Sequence, residues 1–153
     1  MCGISGVYNY NQGHPVSDTL LQSMLMAMHH RGPDEDGVFI EDELAIGMRR
    51  LSIIDLAGGT QPIYNEDHRY VLVFNGEIYN HLELRDTLKK QGHQFRSDSD
   101  TEVIVHLYEQ HGADCVKHLR GMFAFALWDK EEKRLMVARD HLGIKPLYYF
   151  HQG

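Results

Sequence analysis

The chain has 153 residues, of which 42% are hydrophobic and 24% are charged. That length favours a single domain with a buried core, and the composition is that of a globular protein rather than a disordered tail, a collagen-like repeat or a membrane protein. Lys and Arg number 15 against 22 Asp and Glu, which gives a net charge of −7. An acidic balance argues against a nucleic-acid partner.

Cysteine usage points to a reducing compartment. The two cysteines, Cys2 and Cys115, are too few for a disulfide framework. The first residues contain neither a basic stretch nor a long apolar run, so no signal peptide, membrane span or lipid anchor is predicted. We therefore expect a cytoplasmic location.

Apolar patterning predicts the elements of the first half of the chain. Leu20, Leu21, Met24, Leu25 and Met28 recur at helical spacing, and they predict a helix over 17–30 that Ser17 caps. Short strands are predicted at 3–8, 37–40 and 44–48, and a loop rich in Gly and Pro at 55–62.

The second half predicts helices flanked by strands. A buried strand at 70–74 runs into Asn75-Gly76, and two capping boxes, at 80–83 and 99–102, open helices that end near Gly92 and Gly112. A short helix is predicted at 114–120, and strands at 122–128, 135–138 and 147–150. Hairpin-like links between these strands favour an α+β domain with antiparallel sheets over a doubly wound parallel sheet.

Cys2 is the most informative single residue. The initiator methionine is usually removed when the second residue is small, which would give Cys2 both a thiol and a free α-amine. That amine has a pKa of about 7.7–8.0, so it can accept the thiol proton near neutral pH. A terminal amine is an established activator of a nucleophile. The alternative is a small apolar residue at the start of a strand.

Several motifs follow one another along essentially the whole chain: Cys2-Gly3-Ile4, His30-Arg31-Gly32-Pro33-Asp34, Arg50-Leu51-Ser52-Ile53-Ile54-Asp55, Gln61-Pro62, Asn75-Gly76-Glu77-Ile78-Tyr79-Asn80, Ser99-Asp100-Thr101-Glu102, Gly121-Met122-Phe123-Ala124-Phe125-Ala126, Arg139-Asp140-His141-Leu142-Gly143 and Lys145-Pro146-Leu147-Tyr148-Tyr149. Their order resembles the class II glutamine amidotransferases, which are N-terminal-nucleophile hydrolases. The residue patterns around Arg31 and Arg50 resemble those of the glutaminase domain of glutamine-dependent asparagine synthetases.

This resemblance implies a four-layer αββα sandwich with two mainly antiparallel sheets. Residues 2–153 would be a type 2 glutamine amidotransferase domain, incomplete at its C-terminus, without the synthetase domain and its Ser-Gly-Gly-x-Asp-Ser phosphate loop. The glutaminase step would need no cofactor, and ATP and Mg²⁺ are expected only in the synthetase domain. The implied partners are L-glutamine and the synthetase domain, and a second copy of the chain in a homodimer is a further candidate partner.

The resemblance also assigns roles to six residues. Cys2 would be the nucleophile, and the Asn75 side-chain amide and the Gly76 N–H would form the oxyanion hole. Arg50 would bind the α-carboxylate, for which the guanidinium fork is suited. Asp100 would contact the α-ammonium, and Glu77 would lie beside it. Arg31 and Asp34 are expected near the nucleophile as supporting residues.

Each assignment has a structural alternative. Arg50 would otherwise be a solvated arginine on a strand. Asn75-Gly76 normally indicates a two-residue hairpin turn, but here a helix cap follows rather than a returning strand. Asp100 could be a first-turn carboxylate that favours the helix dipole, and this role is compatible with binding an ammonium group.

Other candidate sites are weaker. Cys115 is expected to be a buried apolar thiol. His106, His111 and His118 do not have the i,i+4 spacing and acidic partner of a helical zinc site, so no metal is expected. Gly58-Gly59 is not followed by the lysine of a phosphate loop.

The expected function is hydrolysis of L-glutamine to glutamate and ammonia through a Cys2 thioester. An ATP-dependent synthetase domain would then use the ammonia to amidate aspartate. Two alternatives stay open: a truncated or degenerate domain that binds glutamine or a partner subunit without turnover, and a stand-alone amidohydrolase that acts on another γ-glutamyl amide.

Overall fold

The first half of the chain forms a three-stranded antiparallel sheet. In a computed structural model that describes residues 2–10, 13–51 and 59–152, β1 (Gly3–Tyr8) and β2 (Glu35–Glu41) flank β3 (Leu44–Arg50). Helix α1 (Asp18–Ala27) lies between β1 and β2 in the sequence, and a 3-10 turn at His29–Arg31 follows it. These strands and this helix were predicted, although Ser17 occupies the N-cap without a side-chain capping bond.

The second half forms a four-stranded antiparallel sheet with two helices. Strands β4 (Ile63–Tyr64), β5 (Tyr70–Ile78), β6 (Gly121–Asp129) and β7 (Arg134–Arg139) lie side by side in that order. Between β5 and β6 the chain forms helices α2 (His81–Lys90) and α3 (Glu102–His111) and a 3-10 helix (Gly112–His118). No helix in the described ranges is long and apolar enough to cross a membrane.

Alternate residues of β5 face two different cores, because side chains alternate across a strand. Val71 and Val73 pack against β3 in a core between the two sheets. Leu72 and Phe74 point to the other side and pack against α3. Two buried leucines of α1 cover the outer face of the first sheet. The layers are therefore α1, sheet, sheet and α2 with α3, which confirms the α+β class and the αββα sandwich.

The strand predicted at 147–150 is wrong. Residues 145–152 have no regular structure, and Tyr148, Tyr149 and Phe150 are each nearly 90% exposed or more. An apolar run forms a strand only where another strand can pair with it. In the described part of the chain, β7 is the edge strand of its sheet, and no further strand pairs with it. The helix predicted at 114–120 is a 3-10 helix that begins and ends earlier. Most of the predicted loop at 55–62 lies outside the described residues.

Neither predicted capping box forms. The Asn80 side chain precedes α2, but it donates to the carbonyl of His118 and accepts from the N–H of Arg120. Helix α3 begins at Glu102 with Thr101 as its N-cap, and the Glu102 carboxylate accepts backbone N–H bonds from the preceding loop. Contacts between distant segments thus replace the local caps that the sequence suggested.

Asp140 organises the turn after β7. Its carboxylate accepts four backbone N–H bonds of 2.9–3.2 Å, and the side chain is almost fully buried. Burial raises the pKa of Asp140, but the hydrogen bonds outweigh burial and hold that pKa below its usual value; the donors are Lys145, Ile144, Phe123 and Leu142.

We expect Asp140→Asn to lower the free energy of unfolding by about 2 kcal/mol at about pH 7, because hydrogen bonds to a charged group contribute roughly 1.5–3 kcal/mol. The folded-state pKa of Asp140 lies below the unfolded value of about 3.9. The charged carboxylate therefore stabilises the folded state above about pH 4, and this stabilisation is lost as pH falls through the folded-state pKa. Denaturant unfolding at about pH 7 and about pH 3 measures the difference.

The control for this prediction is Asp86→Asn, which removes an exposed carboxylate on α2. That variant should match the wild type at both pH values. A loss of stability in Asp140→Asn that is as large near pH 3 as near pH 7 would contradict the role of the charge.

Candidate active site

The six predicted site residues all line one cleft. It lies where β1 begins and where β3 and β5 end, and the start of α3 approaches it from the second sheet. Its walls are formed by Cys2, Arg50, Leu51, Gly59, Gln61, Phe74, Asn75, Gly76, Glu77, Ser99, Asp100, Thr101 and Lys145. The supporting residues Arg31 and Asp34 lie behind this surface, where they contact the backbone of Cys2 and Arg50.

The register between β1 and β3 places Cys2 beside Arg50. Gly3 pairs with Arg49, so the residue before Gly3 lies next to the end of β3. The Cys2 Sγ lies 3.4 Å from the Leu51 nitrogen, whose N–H points at the sulfur. Arg31 Nε donates to the Cys2 carbonyl at 3.3 Å. Leu51 thus holds the thiol and Arg31 holds the backbone of Cys2, while Cys2 stays partly exposed.

Arg50 is buried, with only 5% of its surface exposed. Its Nη1 lies 2.9 Å from Glu35 Oε2, and Glu35 is its partner across β2 and β3. The ion pair orients the guanidinium at the wall of the cleft. The alternative of a solvated strand arginine is wrong, because the side chain is buried and forms an ion pair with Glu35.

The backbone N–H and carbonyl groups along the free edge of β5 are bound by side chains rather than by a long neighbouring strand. Strand β4 pairs with β5 only as far as Ile63 and Leu72. Beyond that point the Gln61 amide replaces a strand: its Oε1 accepts from the Phe74 N–H at 2.6 Å, and its Nε2 donates to the Phe74 carbonyl at 3.1 Å. Four residues further along, the Ile78 N–H donates to Asp100 Oδ2 at 2.7 Å.

Gly76 lies between these two satisfied positions, and its peptide groups point to the same edge. Its partner on β6 is Phe123, whose own N–H and carbonyl are bound to Asp140. Gly76 and Phe123 are therefore a pair without mutual hydrogen bonds. The Gly76 N–H therefore points away from β6, toward the edge of β5 that lines the cleft.

Asn75 and Gly76 do not form a hairpin turn. Strand β5 runs through both residues, which pair with Ala124 and Phe123 of β6. A Cβ atom at Gly76 would lie 2.2 Å from the Met122 carbonyl oxygen, so only glycine fits here. The β6 backbone therefore requires a glycine at this position. Asn75 is 5% exposed and lines the cleft beside it.

Asp100 lies one residue before the N-cap of α3, so it is not in the first turn of the helix. Its carboxylate joins the end of β5 to the start of α3 through the Ile78 N–H and the Thr101 hydroxyl. Glu77 is half-buried on the same wall. Two carboxylates therefore line the same cleft as Arg50.

Sequence reasoning missed three residues that shape this cleft. Glu35 and Gln61 act on residues 15 and 13 positions away, and their roles depend on strand register rather than on local pattern. Lys145 is 4% exposed and also lines the cleft. Gln61 and Lys145 both stand in the motifs that carry the family resemblance, which was the available signal.

A family model described as "Glutamine amidotransferase domain" matches residues 1–153. The chain belongs to this family. Among curated proteins, the chain is 47% identical to asparagine synthetase (glutamine-hydrolysing) 1 of Bacillus subtilis, over 97% of this chain and 24% of that protein. It is 45% identical to asparagine synthetase 3 of Arabidopsis thaliana and 43% identical to asparagine synthetase B of Escherichia coli, over 97% of this chain and 25% and 26% of those proteins.

This glutamine amidotransferase domain thus spans about a quarter of the length of the curated relatives that it matches. Among solved structures, it is similar to the glutamine phosphoribosylpyrophosphate amidotransferase of B. subtilis, with a TM-score of 0.72 at 22% identity over 92% of this chain and 37% of that chain. That likeness confirms the fold. The relatives confirm a class II domain of the kind found in asparagine synthetases.

Proposed function

We propose that this domain hydrolyses L-glutamine to glutamate and ammonia, with Cys2 as the nucleophile after removal of Met1. The observation that carries the proposal is the Gly76 N–H, which the β5 edge leaves open in the cleft that Cys2 and the buried Arg50 also line. An N–H fixed in a rigid strand is suited to stabilise an oxyanion, because it needs no reorganisation during the reaction.

Recognition of glutamine uses charges of both signs in the lining of the cleft. Arg50, held by Glu35, binds the α-carboxylate with parallel hydrogen bonds from its guanidinium fork. Asp100 and Glu77 attract the α-ammonium. With both ionic ends held, the side-chain amide extends toward Cys2.

Attack begins when the free α-amine of Cys2 takes the proton of its own thiol. The thiolate forms a bond to the amide carbon, and the π electrons of the C=O bond move to oxygen. Asn75 Nδ2–H and the Gly76 N–H stabilise that oxyanion, and loss of one such donor typically costs about 10²–10³-fold in rate. The Leu51 N–H that points at Sγ holds the sulfur in place for this attack.

Collapse of the intermediate breaks the C–N bond. The leaving nitrogen takes the proton from the α-ammonium of Cys2 and departs as ammonia, which leaves a γ-glutamyl thioester. Water then attacks the thioester with the α-amine as general base, and the same donors stabilise the second oxyanion. Glutamate leaves and the thiol is regenerated, so that the cycle is balanced without any cofactor.

We further propose that the ammonia passes to an ATP- and Mg²⁺-dependent synthetase part that amidates aspartate. The support is that three relatives sharing 43–47% identity with this chain are glutamine-hydrolysing asparagine synthetases about four times its length. A cytoplasmic location agrees with two free cysteines, Cys2 and Cys115. A homodimer stays a prediction.

We expect Cys2→Ala to lower glutaminase activity by about 10⁴-fold or more, as loss of a covalent nucleophile does elsewhere. Glutamate release measures the rate, and intact mass verifies that Met1 has been removed. Cys115→Ala is the matched control, because Cys115 is fully buried and burial raises the pKa of its thiol to about 12. Normal turnover by Cys2→Ala would end the proposal, and so would glutamine binding without turnover by the processed wild type.

We expect Arg50→Lys to raise KM for glutamine by roughly 10–100-fold with a smaller change in kcat, because lysine cannot supply two parallel hydrogen bonds to a carboxylate. Steady-state kinetics measure both constants. Arg49→Lys is the control, since Arg49 pairs with Asp36 and does not line the cleft. An unchanged KM in Arg50→Lys, or an equal rise in Arg49→Lys, would remove Arg50 from the binding site.

A further inference from the structure

Four side chains with metal-ligating atoms converge outside the cleft. Glu66 lies in the loop between β4 and β5, His93 follows α2, and His106 and Glu109 lie on one face of α3. One nitrogen or oxygen atom from each residue lies within 4.8 Å of the corresponding atoms of the others. None of the four lines the cleft, so the proposed glutamine chemistry does not use them.

His106 is fully buried, with 0% of its surface exposed. Neither Nδ1 nor Nε2 has a hydrogen-bond partner in the described part of the chain. Nδ1 faces Glu66 Oε2 at 3.4 Å, and Nε2 faces Glu102 Oε1 at 3.7 Å. A buried imidazole without hydrogen bonds is costly, and its orientation toward the cluster calls for a ligand there.

The distances between the nitrogen and oxygen atoms of the cluster fit the ligands of one metal ion better than they fit direct hydrogen bonds. Zn²⁺ binds histidine nitrogen and glutamate oxygen at roughly 2.0–2.2 Å, so the ligand atoms of a tetrahedral site lie about 3.4 Å apart. His93 Nδ1 lies 3.3 Å from Glu66 Oε1 and 3.7 Å from Glu109 Oε2. His106 Nδ1 lies 3.4 Å from Glu66 Oε2.

The outer contacts support the nitrogens that would bind the ion. Metal-bound histidines usually donate their second N–H to a carboxylate or a carbonyl oxygen. For His106 the nearest such group is the Glu102 carboxylate, whose Oε1 lies 3.7 Å from Nε2 and would have to move closer to accept its N–H. For His93 the neighbour of Nε2 is the Gln110 amide, whose nitrogen lies 2.8 Å away, and a 180° flip of that amide would present its oxygen to the ring instead. The Gln94 N–H holds the Glu66 carboxylate at 2.8 Å.

We propose that Glu66, His93, His106 and Glu109 bind a Zn²⁺ ion. Two carboxylates and two neutral imidazoles balance the charge of the ion, and imidazole favours zinc over Mg²⁺ or Ca²⁺. The ion joins the loop after β4, the end of α2 and the middle of α3. It therefore fixes the helix that follows Asp100 and its N-cap Thr101, both of which line the cleft. This site is structural and does not depend on the proposed glutaminase reaction.

The test is titration of the chelator-stripped chain with ZnCl₂ by calorimetry, together with the visible absorption of bound Co²⁺ as a readout of tetrahedral geometry. We expect one ion per chain and a rise in Tm on zinc addition. In Glu109→Gln and His93→Gln we expect affinity to fall at least about tenfold, and the Tm rise to be lost. Glu109 is partly exposed, so this variant should fold like the wild type, which far-UV circular dichroism verifies.

His118→Gln is the matched control. His111 and His118 stack with ring centroids 4.2 Å apart and offer a second place on this domain where zinc could bind weakly. We expect His118→Gln to bind zinc as tightly as the wild type. Absence of stoichiometric zinc binding would overturn the proposal. Zinc binding that survives Glu109→Gln and His93→Gln, or that is lost in His118→Gln, would overturn it as well.

Discussion

The register between β1 and β3 is the constraint on which the cleft depends. Gly3 lies opposite Arg49, and this pairing alone brings the sulfur of Cys2 to the Leu51 N–H and beside Arg50. Because side chains alternate along a strand, a slip of one residue would turn the thiol to the other face of the sheet. The buried core between the sheets, to which Cys2 adds its own contacts, penalises such a slip.

The edge of β5 shows how the second sheet completes the cleft. An unpaired edge is usually a liability, because its N–H and carbonyl groups invite other chains. Here Gln61 and Asp100 bind the backbone of that edge on both sides of Gly76, and they leave the Gly76 N–H directed toward the cleft. The side chains that bind the backbone of this edge therefore also leave one donor, the Gly76 N–H, for a ligand.

Periodicity was sufficient to predict β1, α1 and the long strands, since each buries a regular apolar pattern. The site residues came from the family resemblance, because alternation alone makes Arg50 a strand arginine and Asn75-Gly76 a turn. The partnerships of Glu35 with Arg50 and of Gln61 with Phe74 depend on register between separate segments, which local sequence does not encode. Helical spacing likewise missed the His106 cluster, since Glu66 and His93 come from other elements.

The most direct measurement is a crystal structure of the processed chain after reaction with the glutamine-analogue electrophile diazo-oxo-norleucine, whose ketone oxygen occupies the place of the oxyanion. We expect a covalent bond to Cys2 Sγ, the ketone oxygen about 2.7–3.1 Å from Asn75 Nδ2 and from the Gly76 nitrogen, and the α-carboxylate on Arg50. A ketone oxygen directed away from Gly76, or an adduct on Cys115 instead of Cys2, would contradict this expectation.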